Sequence, residues 1–81
     1  KMEEKIRDFI QRRFSGKKKR IGDKESLFGS GAMDSIAHLQ LISFLEKEFG
    51  VSFSMDEFSL ENFDTIERIS ALLKKKLSQS R

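Results

Sequence analysis

The chain has 81 residues, 16 Lys/Arg against 13 Asp/Glu for a net charge of +3, and no cysteine. A fold this short buries only about 60% of the surface its unfolded chain exposes, so a deep, water-excluding catalytic pocket is hard to build and a binding or carrying module is favoured over a self-sufficient enzyme. Without cysteine there are no disulfides, thiolate zinc sites or cysteine nucleophiles; without an apolar run of about 18 residues or a signal peptide, no membrane insertion and a cytoplasmic location are expected.

The net charge hides a segregation. Residues 1–33 hold ten basic and five acidic side chains, residues 34–67 one basic and eight acidic, and residues 68–81 five basic and none acidic. An acidic middle third therefore sits between two basic ends, which matters more to partners than the average.

Four helical segments can be read, and no convincing strand. Met2, Ile6, Phe9, Ile10, Arg13 and Phe14 fall on one face of a first helix, which Ser15-Gly16 should end. A connection, KKKR followed by IGDKESLFGSGAM, then runs from residue 17 to residue 33, beyond the roughly 12–15 residues at which structureless loops become uncommon in compact domains. Because it carries Ile21, Leu27, Phe28 and Met33, it is expected to pack against the helices. The second helix starts at Asp34 or Ser35, either a good N-cap, and runs to Phe49 with Leu39, Leu41, Ile42, Leu45 and Phe49 on a wide apolar arc closed by Gly50. A short helix is expected from Met55 to about Asn62. Asp64-Thr65-Ile66-Glu67 reads as a capping box with Asp64 as N-cap, and the last helix follows with Ile66, Ile69, Leu72, Leu73 and Leu77 facing inward. The expected fold is all-α: one domain over residues 1–81, ordered from about 2 to 77, built as a small four-helix bundle of three longer helices and one short, with a long loop between the first two.

The stretch GSGAMDSI, Gly29 to Ile36, carries the chemistry. Ser35 lies at a helix N-terminus, where free backbone N–H groups and the helix dipole favour an anion, so a phosphodiester on its hydroxyl would be electrostatically comfortable. Gly29 and Gly31 would let a modifying enzyme come close to the backbone. A plain helix-capping serine is the bland reading of the same residues.

The wider segment LFGSGAMDSIAHLQLISFLEKEFGVSF resembles the core signature of acyl carrier proteins and other phosphopantetheine-bearing carrier domains. Asp34-Ser35-Ile36 takes the place of the family's Asp-Ser-Leu, and Glu46 to Val51 matches the exit of its second helix. The resemblance implies that Ser35 accepts 4′-phosphopantetheine from coenzyme A through a separate Mg²⁺-dependent phosphopantetheinyl transferase. The arm's thiol then holds an acyl group as a thioester and presents it to a loading enzyme and to downstream acyl-processing enzymes. A chain without a thiol of its own fits that reading. Downstream, MDEFSLENFDTIERI is similar to D-alanyl and related aminoacyl carriers: Glu57-Phe58 and Asp64-Thr65 match, and Phe63 stands where a Trp is frequent. The resemblance thus allows an amino acid as cargo. Asp34, Ile36, Ala37 and Gln40 would form the surface read by partners. Fatty-acid carriers place acidic residues along this helix; Ala37, Gln40 and Lys47 here point to a specialised pathway with its own enzymes.

His38 lies one turn after Ser35, but a Ser-His dyad would lack an orienting group, an oxyanion hole and a pocket, so His38 reads as a packing residue and no catalytic residue is assigned. The eight phenylalanines read as mostly core, with Phe58 and Phe63 as the alternative candidates for shaping a cargo pocket; no metal-ligand cluster is present, and a monomer is expected. Two rival functions remain. One is a small basic helical domain binding nucleic acid through Lys17 to Arg20 and Lys74 to Lys76, for which no recognition helix or stacking motif speaks. The other is a degenerate carrier fold serving only as a protein-interaction module.

Overall fold

In a computed structural model the described residues are 1–14 and 19–79. The expected Ser15-Gly16 helix stop, Lys17, Lys18 and the end of the tail lie outside them. Three α-helices, α1 (Met2–Arg13), α2 (Ser35–Phe49) and α3 (Ile66–Gln79), are joined by the long loop and by two 3₁₀ turns, Met55–Phe58 and Glu61–Phe63, with no strand among the described residues. The all-α expectation holds.

The core forms where each helix turns its apolar stripe inward. Ile6 and Ile10 from α1, Leu41, Ile42 and Leu45 from α2, and Ile66, Ile69 and Leu73 from α3 are buried together. Each such side chain contributes about 1.5–3 kcal/mol on leaving water. Ile21, Leu27 and Met33 from the loop join them, as their apolar character predicts. Phe9 of α1 stacks on Phe44 of α2 at 4.1 Å between ring centres, and Lys5 pairs with Glu48 at 2.9 Å across the same seam. On the other side α1 meets α3 through Glu3, whose carboxylate accepts from the Ser70 hydroxyl at 2.9 Å and from Lys74 at 3.1 Å. The Glu3 backbone N–H first, then the Ser70 hydroxyl and Lys74, pull its carboxyl down to about 2.

Three expectations need correction. The short helix is two separate 3₁₀ turns, because Ser59 adopts an extended backbone (φ −60°, ψ 147°) between them. A capping box is present at the first of these, where the Ser54 N–H donates to Glu57 Oε1 at 2.8 Å, and not at Asp64. The cap of α3 is Thr65, whose Oγ1 accepts from the Arg68 N–H at 3.0 Å, leaving the Asp64 carboxylate for another task. Third, Leu39 is not on the buried arc of α2. That arc is Ala37, His38, Leu41, Ile42 and Leu45, and Leu39 stands 58% exposed on the opposite face.

Candidate functional site

The α2 N-terminus is built by its cap. Asp34 has an extended backbone, its carboxylate Oδ1 accepts from the Ala37 N–H at 2.8 Å, and its carbonyl accepts the first helical bond from His38. Ser35 is therefore the first helical residue, and it is exposed. With Ala37 satisfied by the cap, the first-turn donors without an intrahelical partner are the N–H groups of Ser35 and Ile36. They sit beside the Ser35 hydroxyl at the positive end of the helix dipole, so the site fits a phosphodiester.

The loop leading to Ser35 is held by a residue far along the chain. Asp64 accepts from the Ser26 hydroxyl at 2.9 Å and from the Phe28 N–H at 3.1 Å, and its backbone carbonyl accepts from the Leu27 N–H. Ser26 Oγ in turn accepts from the Gly29 N–H at 2.9 Å. A Cβ at Gly29 would lie 2.6 Å from that oxygen, so glycine is required there for close approach. Gly31 follows with φ +85°, a left-handed turn that suits glycine, and the Met33 N–H donates back to the Leu27 carbonyl at 3.0 Å. Upstream, buried Arg7 donates from Nε to the Ile21 carbonyl at 2.9 Å and pairs with Glu4 and Asp23. Neither role was legible beforehand. For Arg7 the available signal was an arginine beside Ile6 on the inward face, three residues after Glu4.

Of the residues expected at the partner-facing surface, Asp34, Ser35, Ile36 and Gln40 are exposed, Ile36 to 67%. Ala37 is not: it is 5% exposed and packs in the core, so it cannot be read from outside. His38 is 6% exposed, its ring 4.6 Å from Phe63 and 5.5 Å from Phe28. No hydrogen bond reaches its Nε2, and burial holds its pKa below the ordinary histidine value. No hydrogen bond joins it to Ser35, so no dyad forms. Among the described residues no cluster of metal-ligating side chains occurs, and no helix is long and apolar enough to cross a membrane. The basic runs are partly used internally, Arg20 on Glu4, Lys74 on Glu3 and Lys76 on Glu57.

Comparison with known proteins decides between the readings. The family model described as "Phosphopantetheine attachment site" matches residues 4–73. The chain belongs to that family. A D-alanyl carrier protein of Streptococcus uberis is 37% identical over 68 residues, 84% of this chain and 85% of that protein. Another from Lactobacillus acidophilus is 36% identical over 47 residues, 58% of this chain and 60% of that protein. The fold is similar to the solution structure of a holo acyl carrier protein from Geobacter metallireducens, with a TM-score of 0.73, 22% identity and coverage of 96% of this chain and 87% of that one. The protein is thus a carrier of an acyl or aminoacyl group on a 4′-phosphopantetheine attached to a serine, and it works with loading and processing enzymes. That function, and not nucleic-acid binding, accounts for the family match along the length of the carrier.

Proposed function

We propose that Ser35 is the serine that bears the arm and that the cargo is an aminoacyl group. The observation that carries the assignment is the position of Ser35: exposed, first in α2, directly after the Asp34 cap and next to the open N–H groups of the first turn. A phosphopantetheinyl transferase would join Ser35 Oγ to the pantetheine-bearing phosphorus of coenzyme A. The phosphoanhydride bond to the nucleotide portion breaks, and the hydroxyl proton leaves. The arm, once attached, supplies a thiol that forms the thioester. The chain's own part is to hold Ser35 outward, to stabilise the adjacent negative charge by the helix terminus, and to offer Asp34, Ile36 and Gln40 to enzymes that approach. It catalyses nothing itself, and its expected compartment is the cytoplasm. The aminoacyl cargo is supported by the 37% identity to a protein named D-alanyl carrier protein.

The test is intact mass after incubation with a phosphopantetheinyl transferase, Mg²⁺ and coenzyme A. Wild type should gain one phosphopantetheine and Ser35→Ala none; a wild type that stays unmodified, or a modified Ser35→Ala, refutes the assignment. Loading of the holo protein with D-alanine by an ATP-dependent adenylating enzyme, against a fatty acid as competitor, then tests the cargo.

A further inference from the structure

Among the described residues, one buried side-chain nitrogen has no hydrogen-bond partner, Nε2 of His38. His38 is the fourth residue of α2, and its backbone N–H donates to the carbonyl of Asp34, the cap beside Ser35. Its ring meets two aromatic side chains from different parts of the chain, Phe28 of the loop at 5.5 Å and Phe63 of the second 3₁₀ turn at 4.6 Å. Asp64, which follows Phe63, accepts from the Phe28 N–H through its carboxylate and from the Leu27 N–H through its carbonyl. The imidazole therefore closes a circuit. Phe28 joins α2 to the loop, Asp64 joins the loop to the turn, and Phe63 joins the turn back to α2.

That circuit suits an uncharged ring. A protonated imidazole carries an N–H on both nitrogens, and Nε2 meets no acceptor here. Phe28 and Phe63 offer no nitrogen or oxygen, and a cation within the first turn of a helix opposes the helix dipole. The charged groups of the surrounding elements are engaged elsewhere or exposed. On α2, Asp34 gives its Oδ1 to the Ala37 N–H. On the loop, Asp23 pairs with Arg7, Glu25 accepts from the Gly22 N–H, and Lys24 is exposed. Beside Phe63, Glu61 is exposed and Asp64 serves Ser26 and Phe28. At the start of α3, Glu67 and Arg68 are exposed. None of them pairs with the imidazole, and burial alone holds its pKa below the ordinary value. Asp34, one turn before His38, would reach a cation there only by releasing the Ala37 N–H, which undoes the cap next to Ser35.

We infer that His38 is a positioning residue for installation of the arm: its neutral ring holds the loop against α2, and its protonation in mild acid releases Phe28 and the loop segment that leads to Ser35. The inference rests on Ser35 as the attachment point. A transferase then meets an ordered Asp34-Ser35 turn at neutral pH and a loosened one in acid. With a pKa of about 6.5 in the released state, the opening equilibrium shifts by up to about tenfold between pH 7.5 and 5.5.

Two measurements on the full chain test this. Amide hydrogen exchange, read by NMR and corrected for the intrinsic rate at each pH, should show lower protection at Leu27 and Phe28 than at Leu45 in α2. Protection at Leu27 and Phe28 should fall about tenfold from pH 7.5 to 5.5 in wild type and stay within twofold in His38→Leu. The second measurement is kcat/KM for modification by a phosphopantetheinyl transferase with Mg²⁺ and coenzyme A, followed by intact mass. Dividing wild type by His38→Leu at each pH cancels the transferase's own pH dependence. That ratio should be flat from pH 8 to 7 and fall several-fold by pH 5.5. His38→Gln is the non-titrating reference if circular dichroism shows His38→Leu unfolded. Equal protection at Leu27, Phe28 and Leu45 means that the loop opens only with the whole domain. A ratio that stays within twofold means that the transferase is indifferent to His38. Either result overturns the inference and leaves Ser35 assigned. A wild type unmodified at every pH overturns the Ser35 assignment and the role in arm installation together, and the exchange data then judge the release by themselves.

Discussion

Replacing Asp64 by Ala should damage the proposed attachment site, Ser35, from 29 residues away in sequence. The substitution removes the acceptor for two donors, the Ser26 hydroxyl and the Phe28 N–H, and leaves the Leu27 N–H to Asp64 carbonyl bond in place. Hydrogen bonds to a charged acceptor contribute about 1.5–3 kcal/mol each. Both donors are only half-buried, so water recovers part of that, and a loss of about 2–3 kcal/mol in total is expected. For a domain of this size that lowers Tm by roughly 10–20 °C. Asp64→Asn keeps an amide oxygen where Oδ1 accepts from both donors but loses the charge, and should lose about half as much, on the order of 1–1.5 kcal/mol. Urea unfolding followed by circular dichroism measures the stability. Transferase modification under conditions where the variant is still folded should be slower than wild type, because the Ser26–Gly29 turn before Ser35 has lost its anchor. If Asp64→Ala falls within about 0.5 kcal/mol of wild type, the range of an ordinary surface substitution, Asp64 does not anchor the loop and the reasoning fails.

Two further outcomes follow from buried or left-handed positions. His38 is held neutral by burial, so its folded pKa lies below the unfolded value of about 6.5. The unfolded chain then binds the extra proton as pH falls, and stability present above pH about 6.5 is lost below it, with a slope of at most about 1.4 kcal/mol per pH unit. Urea midpoints between pH 7.5 and 5 should show this fall in wild type and a flatter profile in His38→Leu; identical profiles would remove His38 as the cause. Gly50 closes α2 with φ 67° and ψ 38° and its N–H on the Glu46 carbonyl. Gly50→Ala should cost about 1 kcal/mol by placing a Cβ in that left-handed conformation, although no neighbour crowds it. An unchanged melting temperature would show that the chain ends α2 without that geometry.

The three helices were legible because each repeats apolar residues at helical spacing, and α2 also ends on a recognisable signal, Gly50. Asp34 next to Ser35 was legible as a cap for the same local reason. What escaped was set by partners far along the chain. Asp64-Thr65-Ile66-Glu67 satisfies the local grammar of a helix start with either Asp64 or Thr65 as cap. The choice was made by Ser26 and Phe28, 38 and 36 residues away. Leu39 and Ala37 were exchanged in role because apolar character alone does not set the rotation of α2. Close contact with its neighbours favours the small Ala37 inside and leaves Leu39 out. The burial of Arg7 was equally hidden, since its partners Ile21 and Asp23 belong to the loop and not to α1.

The stitching of that loop bears on how far cargo can travel. Its described part is tied to α1 through Arg7 and through the Ile21 N–H on Gln11 Oε1, to α3 through the Glu67 N–H on the Asp23 carbonyl, and to Asp64 at residues 26–28. A polypeptide fastened at so many points between residues 21 and 33 is a poor hinge. With the arm on Ser35 as proposed, that residue is a fixed pivot, and the radius within which a thioester can be delivered is the length of the arm itself. An enzyme too deep for that arm must bring its active site to the carrier, since this backbone has little slack to lend.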